Sequence, residues 1–176
     1  VDVILNENLQ GKTLLELGTG SGAISISIAQ ENKDCFIFAT DISIKSILVA
    51  KQNAAKFCCE NIIFLNHDWN NEWLFPQVDY LISNPPYVDK EATSGKEEGI
   101  WHEPEIALFS KDKGLSDLKL ILSKGKNFLN ENGKVYLEHA PDQYEELNKF
   151  AMENGYLNFS NLNDLNGDKR VSIYQC

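Results

Sequence analysis

The sequence predicts an α/β fold: a parallel sheet with helices on both faces and an antiparallel pair of strands at its C-terminal end. Three observations point there. Short apolar runs alternate with amphipathic, helix-like stretches for most of the chain. Four of those runs end in the polar or flexible segments Gly18, Asp41, Asn66-His67-Asp68 and Asn84, not in hairpin turns. The last two runs alternate with a period of two and flank the turn-like Asn166-Gly167.

Taken in order, Val1, Ile4, Leu5 and Leu9 have helical spacing, and Gly11 stops the pattern. Thr13 to Leu17 reads as the first strand and runs into Gly18-Thr19-Gly20-Ser21-Gly22. Ala23 to Gln30 reads as an amphipathic helix and Cys35 to Thr40 as the second strand, closed by Asp41. Ser43 is an N-cap for a helix to about Phe57, because its hydroxyl can take an orphan N–H of the first turn. Asn61 to Leu65 and Val78 to Ser83 are the third and fourth strands. Residues 88 to 113 are polar and irregular, with Gly95, Gly99 and Pro104, and are long for a plain connection. Leu115 to Leu129 predicts a helix, Lys134 to Glu138 a fifth strand opened by Gly133, and Pro141 to about Glu153 another helix. Gly155 to Leu162 and Arg170 to Tyr174 form the terminal pair. No repeat, linker or low-complexity tract divides the chain, so residues 1–176 are read as one domain.

Composition narrows the function classes. A chain of 176 residues, 43% hydrophobic and 24% charged, can bury a core of its own. No run is long and apolar enough to cross a membrane, so no membrane partner is expected. The net charge is −10 and Arg170 is the sole arginine, which argues against a stable nucleic-acid partner. A local patch such as Lys111 and Lys113 is the exception to weigh. Cys35, Cys58, Cys59 and Cys176 form no C-x-x-C pair, no His or Cys spacing suits a metal, and the pattern fits a reducing cytoplasm. The chain begins at Val1 and its one methionine is Met152, so it reads as part of a longer product; a monomer is expected.

The chemistry-bearing residues fall at consecutive strand ends, where open parallel sheets bind ligands. Gly18, Gly20 and Gly22 let the backbone turn tightly and approach a ligand. Gly18-x-Gly20-x-x-Ala23 also fits the dinucleotide pattern, so the loop alone leaves a dehydrogenase open. Asp41 stands where an acidic side chain accepts ribose hydroxyls, or is an ordinary strand-end Asp. Glu16, Asp41 and Asp68 suit the sulfonium and ammonium of S-adenosylmethionine better than a pyrophosphate. Asp68 with Trp69 offers an acceptor and an aromatic face for adenine; the alternatives are a solvated turn residue and a core ring. Asn84-Pro85-Pro86-Tyr87 closes the fourth strand. Its prolines stiffen the chain and donate no N–H, which leaves carbonyls able to hold a planar N–H donor, although a plain Pro-Pro turn has the same residues. His67, His102 and His139 read as structural or surface residues, Glu97-Glu98 as a solvated loop, and Glu138 as either a pocket-facing or a capping residue.

Glu16-Leu17-Gly18-Thr19-Gly20-Ser21-Gly22-Ala23-Ile24, Asp41-Ile42-Ser43, Asp68-Trp69, Asn84-Pro85-Pro86-Tyr87, Glu103-Pro104, Ala107-Leu108 and Gly114-Leu115 together resemble the class I, HemK-type release-factor glutamine methyltransferases. Asn-Pro-Pro-Tyr alone is shared with adenine and guanine amino methyltransferases. The segment from Glu103 to Leu115, at its distance from Tyr87, is what carries the resemblance to this family. The sequence departs from the family in having Glu16 where Asp is usual, and in lacking the family's N-terminal helical docking domain and the Arg-Pro segment before the first strand.

The resemblance implies a Rossmann-like fold with a mostly parallel, seven-stranded sheet and an antiparallel C-terminal strand. It implies methyl transfer from S-adenosylmethionine to a glutamine amide nitrogen in the Gly-Gly-Gln loop of a peptide chain release factor, the protein partner. Cofactor contacts are then expected from Glu16, Gly18, Thr19, Gly20, Gly22, Asp41, Ile42, Asp68, Trp69 and Asn84. Substrate contacts are expected from Asn84, Pro85, Pro86, Tyr87 and Glu103. Asn84 and Pro85 would each accept one amide N–H, and Tyr87 would pack on the glutamine side chain or else anchor the loop. The competing readings are a nucleic-acid amino methyltransferase, a methyltransferase-like fold that only binds, and a nicotinamide dehydrogenase.

Overall fold

The structure is a computed structural model that describes residues 1–89, 109–110, 112 and 114–176. Its main sheet has seven strands in the order β3-β2-β1-β4-β7-β9-β8. These are β1 Thr13–Leu17, β2 Phe36–Asp41, β3 Ile62–Asn66, β4 Val78–Ser83, β7 Leu129–Glu138, β8 Asn158–Asn163 and β9 Lys169–Gln175. β1 pairs in parallel with β2 and β4, β2 pairs in parallel with β3, and β8 and β9 are antiparallel. A mostly parallel sheet with an antiparallel C-terminal pair is what the sequence predicts. By internal contacts the chain forms two compact units, Val1–Ser83 with Phe128–Lys134, and Asn84–Asn127 with Val135–Cys176.

The first unit holds α1 Asp2–Leu5, α2 Ala23–Glu31 and α3 Ile44–Lys56. β1 is paired along both edges, and successive residues on its two faces are buried. Leu14, Leu15 and Leu17 are fully buried, which is why this strand reads as a near-continuous apolar run. Ser43 caps α3 as expected, its Oγ accepting from Ser46 N at 3.2 Å. The sequence predicts a helix reaching toward Gln10, but α1 stops at Leu5. Leu9 is buried beyond it, in irregular chain, so its helical spacing does not come from a helix.

The second unit holds a short parallel pair, β5 Val88–Asp89 and β6 Phe109–Ser110, then α4 Ser116–Gly125 and α5 Tyr144–Glu153. The pair was not expected from the irregular composition. The helix predicted to reach Leu129 ends at Gly125 and passes into a 3-10 turn over Lys126–Phe128. Leu129 opens β7, a strand of 10 residues that runs through Gly133, where a start had been expected. Apolar spacing alone continues the helix because the 3-10 turn keeps nearly the same period. α5 starts at Tyr144; Pro141 lies in the preceding turn. The predicted Asn166-Gly167 turn is present, with Gly167 at φ 92° between β8 and β9.

His139 is structural. It is fully buried; its Nδ1–H donates to the Ala140 carbonyl at 2.8 Å, so in the neutral ring Nε2 accepts from the Ser172 hydroxyl at 2.7 Å. Burial, helped by nearby Arg170, holds its pKa below the ordinary histidine value against the pull of the Ala140 carbonyl and Asp142. The unfolded chain therefore takes up this proton more readily than the folded one. The stability that neutral His139 contributes is complete above about pH 6.5 and is lost as the pH falls toward the folded-state value. Between pH 7.5 and 5.5 the wild-type melting temperature, followed by circular dichroism, is expected to fall more than that of a His139→Gln variant. Equal slopes would remove His139 from the account.

Candidate active site: a glycine loop and an Asn-Pro-Pro-Tyr loop

In the first unit the strand order reverses direction at β1 and β4, the switch point where open α/β sheets bind ligands. Leu17 is paired with Ser83 at the carboxyl ends of these two strands, and Ser83 Oγ donates to the Leu17 carbonyl at 2.8 Å. The glycine loop leaves β1 directly after Leu17.

That loop is tied from several sides. Gly18 N and Thr19 N both donate to the Thr40 carbonyl, at 2.9 and 2.8 Å. Gly22 N donates back to the Thr19 carbonyl at 2.8 Å. Gly18, Gly20 and Gly22 have φ of 75°, 56° and 84°, a region that L side chains adopt only under strain. A Cβ on Gly20 would meet nothing within 4 Å, so its backbone faces open space that a ligand can enter. A Cβ on Gly22 would lie 2.8 Å from Ile26 Cδ1 and 3.2 Å from Ala50 Cβ, so this glycine lets α2 start close against α3.

Glu16 sits inside the loop, 1% exposed. Its Oε2 accepts from the Thr19 hydroxyl at 2.6 Å and from the Ser25 hydroxyl. Burial raises its pKa, while the Ser25 and Thr19 hydrogen bonds pull it back. Of the three carboxylates expected around the cofactor, Asp41 and Asp68 are therefore the two that reach the surface, both half-buried.

Asp41 ends β2 and ties two turns together. Its Oδ2 accepts from Gly20 N at 2.9 Å and its Oδ1 from Ser43 N at 2.8 Å. Each oxygen keeps a second lone pair for a hydroxyl. The turn beneath it is held by Asn66, whose Nδ2 donates to the carbonyls of Asp41 and Ile42 at 2.9 and 2.8 Å. Asn66 is a supporting residue that sequence reading passed over; its one signal was its place at the end of the third strand. Ile42 is 43% exposed, an apolar surface next to Asp41. Asp68 Oδ1 accepts from Asn70 N and Nδ2 at 2.9 and 2.8 Å, which fixes one face of its carboxylate. Trp69 is half-buried, and its carbonyl accepts from Trp73 Nε1 at 2.9 Å.

In the second unit Asn84 is exposed, Pro85 and Pro86 are buried and Tyr87 is half-buried. The Tyr87 hydroxyl donates to Glu138 Oε1 at 3.0 Å. Burial, then the Glu138 carboxylate, push its pKa up to about 12, with Arg170 opposing. Glu138 thus accepts a hydrogen bond from this loop, a partner that its strand-end position did not reveal. Glu103, with Pro104, Ala107, Leu108, His102, Glu97-Glu98, Gly95, Gly99, Lys111 and Lys113, lies outside the described residues.

The methyltransferase small domain family matches residues 3–103. The chain belongs to that family. It is 38% identical over 166 residues to the bifunctional methyltransferase of Rickettsia bellii, covering 93% of this chain and 30% of that protein. It is 32% identical over 160 residues to the release factor glutamine methyltransferase of Escherichia coli, covering 91% of this chain and 58% of that protein. The chain thus spans less than two thirds of either relative. Among solved structures, a methyltransferase from Pyrococcus furiosus superposes with a TM-score of 0.72 at 20% identity, over 99% of this chain and 80% of that one. At that identity the likeness is one of fold, and the fold is that of a methyltransferase.

The two loop glycines separate strain from crowding. Gly20→Ala is expected to cost about 1–2 kcal/mol, the left-handed backbone penalty alone. Gly22→Ala adds the clash with Ile26 and Ala50 and should cost at least about 1 kcal/mol more. Urea denaturation of both variants measures the difference, and equal losses would show that the α2–α3 approach does not depend on Gly22.

Proposed function

We propose that this chain carries the catalytic domain of a methyltransferase that moves a methyl group from S-adenosylmethionine to a side-chain amide nitrogen, that of a glutamine in the Gly-Gly-Gln loop of a peptide chain release factor. The observation that carries the reading is one of register. Leu17 and Ser83 are paired, the glycine loop follows Leu17, and Asn84-Pro85-Pro86-Tyr87 follows Ser83. The release factor glutamine methyltransferases among the relatives support the same substrate.

The residues present fit the cofactor. The open face of Gly20 admits a ligand against the backbone, Asp41 has free lone pairs for hydroxyls, and Asp68 supplies a second carboxylate for a cationic ligand. Ile42, Thr19 and Trp69 complete the proposed cofactor contacts, with Glu16 acting through Thr19. When bound, S-adenosylmethionine supplies a methyl on a sulfonium sulfur, an electrophile that leaves a neutral thioether.

An amide nitrogen is a weak nucleophile because its lone pair is delocalised into the carbonyl. The proposed task of the chain is to hold that nitrogen and to favour positive charge on it. Asn84 Oδ1 and the Pro85 carbonyl each accept one N–H of the substrate amide, which polarises the nitrogen and fixes its direction. Pro86 has no N–H to compete for that carbonyl. Tyr87 keeps its proton and is directed toward Glu138, so it serves as a wall and not as a base. The proton that the nitrogen sheds goes to water. The same chemistry suits a base amino group, and the net charge of −10 with one arginine weighs against a phosphate-rich substrate.

The test uses full-length protein and labelled S-adenosylmethionine with a release factor, its Gln→Ala loop variant, and bulk RNA or DNA. Label is expected on the release factor and not on its Gln→Ala variant. Label confined to nucleic acid would overturn the reading. Asn84→Ala is expected to lower transfer by about 100-fold or more, as loss of one preorganised polar group does, with cofactor affinity measured beside it because Asn84 is also an expected cofactor contact. Transfer at the wild-type rate would remove Asn84 from the mechanism.

A further inference from the structure

Tyr87 is gripped at both ends, and one grip does not involve its ring. Its carbonyl accepts from Gln143 Nε2 at 3.0 Å. Gln143 is 5% exposed, and its Oε1 accepts from Ala140 N at 2.9 Å. That second bond settles which way the amide faces. A backbone N–H needs the oxygen, so the nitrogen is the atom turned to Tyr87. Gly114 closes the third side. Its φ is +82°, and a Cβ there would lie 2.0 Å from the Tyr87 carbonyl oxygen and 2.6 Å from Gln143 Nε2. Position 114 therefore carries no side chain while this contact exists.

At the other end the Tyr87 hydroxyl donates to Glu138 Oε1, on the last residue of β7. Arg170, on β9, interacts with the same hydroxyl and donates to the His139 carbonyl at 3.5 Å. Between Ser83 and Tyr87 the chain has two prolines with fixed φ. A stiff segment anchored at Tyr87 has few torsions left, and Asn84 lies at its start.

We propose that Glu138 and Gln143 are positioning residues for methyl transfer: they hold Tyr87 at its hydroxyl and at its carbonyl, and through it the Asn-Pro-Pro-Tyr loop that presents the substrate amide. The inference rests on the reading of that loop as an amide-binding site. Neither residue touches the substrate. Each acts through Tyr87, so its loss lowers turnover without changing cofactor affinity. Gln143→Glu keeps the shape, sets an oxygen against the Tyr87 carbonyl, and is the sharpest single change.

The experiment is a set of variants of the full-length protein: Tyr87→Phe, Glu138→Gln, their double, and Gln143→Glu. Three readouts are taken on each: kcat for transfer to a release factor, the Kd of S-adenosylmethionine by calorimetry, and the urea midpoint. Tyr87→Phe and Glu138→Gln are each expected to lower kcat about tenfold, the size of one lost orienting hydrogen bond. The double should be no slower than the slower single, and Gln143→Glu should lose about 100-fold. Cofactor Kd should stay within about twofold throughout. Variants that fold and turn over at the wild-type rate, or losses that multiply in the double, would overturn the proposal. If the wild type labels no release factor, it is the substrate reading that fails. The urea midpoints then judge the clamp alone: non-additive shifts for Tyr87 and Glu138 support it, and additive shifts overturn it.

Discussion

The glycine loop depends on a buried carboxylate. Glu16 ends up in the interior because it is the fourth residue of a strand covered on both faces. A charge there is costly unless it is hydrogen-bonded, and the Thr19 and Ser25 hydroxyls supply those bonds. The bonds in turn fix the loop, because Thr19 lies within it and Ser25 lies in the first turn of α2. Gly18 and Gly20 can then take positive φ without competing for space with side chains. The carboxylate thus acts as a peg around which a backbone of unusual conformation is wound. The extra methylene of Glu, compared with Asp, lengthens the peg while both hydroxyls are still reached.

The second unit solves a different problem by different means. The glycine loop is shaped by flexible residues held from within. The Asn-Pro-Pro-Tyr loop is shaped by stiff residues held at their ends. Pro85 and Pro86 are buried and Asn84 is exposed, so the segment shows its polar side chain outward and seats its rings inward. Gln143 and Gly114 come from far along the chain, and the contact between them and Tyr87 is a property of the folded unit alone.

This division explains which features were legible in the sequence. The strands over Thr13–Leu17 and Val78–Ser83 were readable to the residue, because their apolar runs stop at glycine or asparagine. Ser43 as a cap was readable from local hydrogen-bond chemistry. The boundary at Leu129 was not, since a 3-10 turn carries helical spacing past the helix end. The short β5–β6 pair was missed because two-residue strands leave no periodic trace. At the sites, residue types told which groups could meet a ligand, but not which were occupied within the protein. Glu16 turned inward to two hydroxyls and Asp41 engaged two backbone N–H groups, bonds that require the fold to exist. Glu138 was visible as a candidate, and its bond to Tyr87 likewise requires the fold.

The Tyr87 hydroxyl has a consequence for the rate law. A phenol whose pKa is pushed up to about 12 stays neutral through neutral and mildly alkaline pH. On the proposed reading of the loop it would therefore contribute no alkaline limb to a pH–rate profile. A decline in rate at alkaline pH would have to be traced to the substrate or to another group.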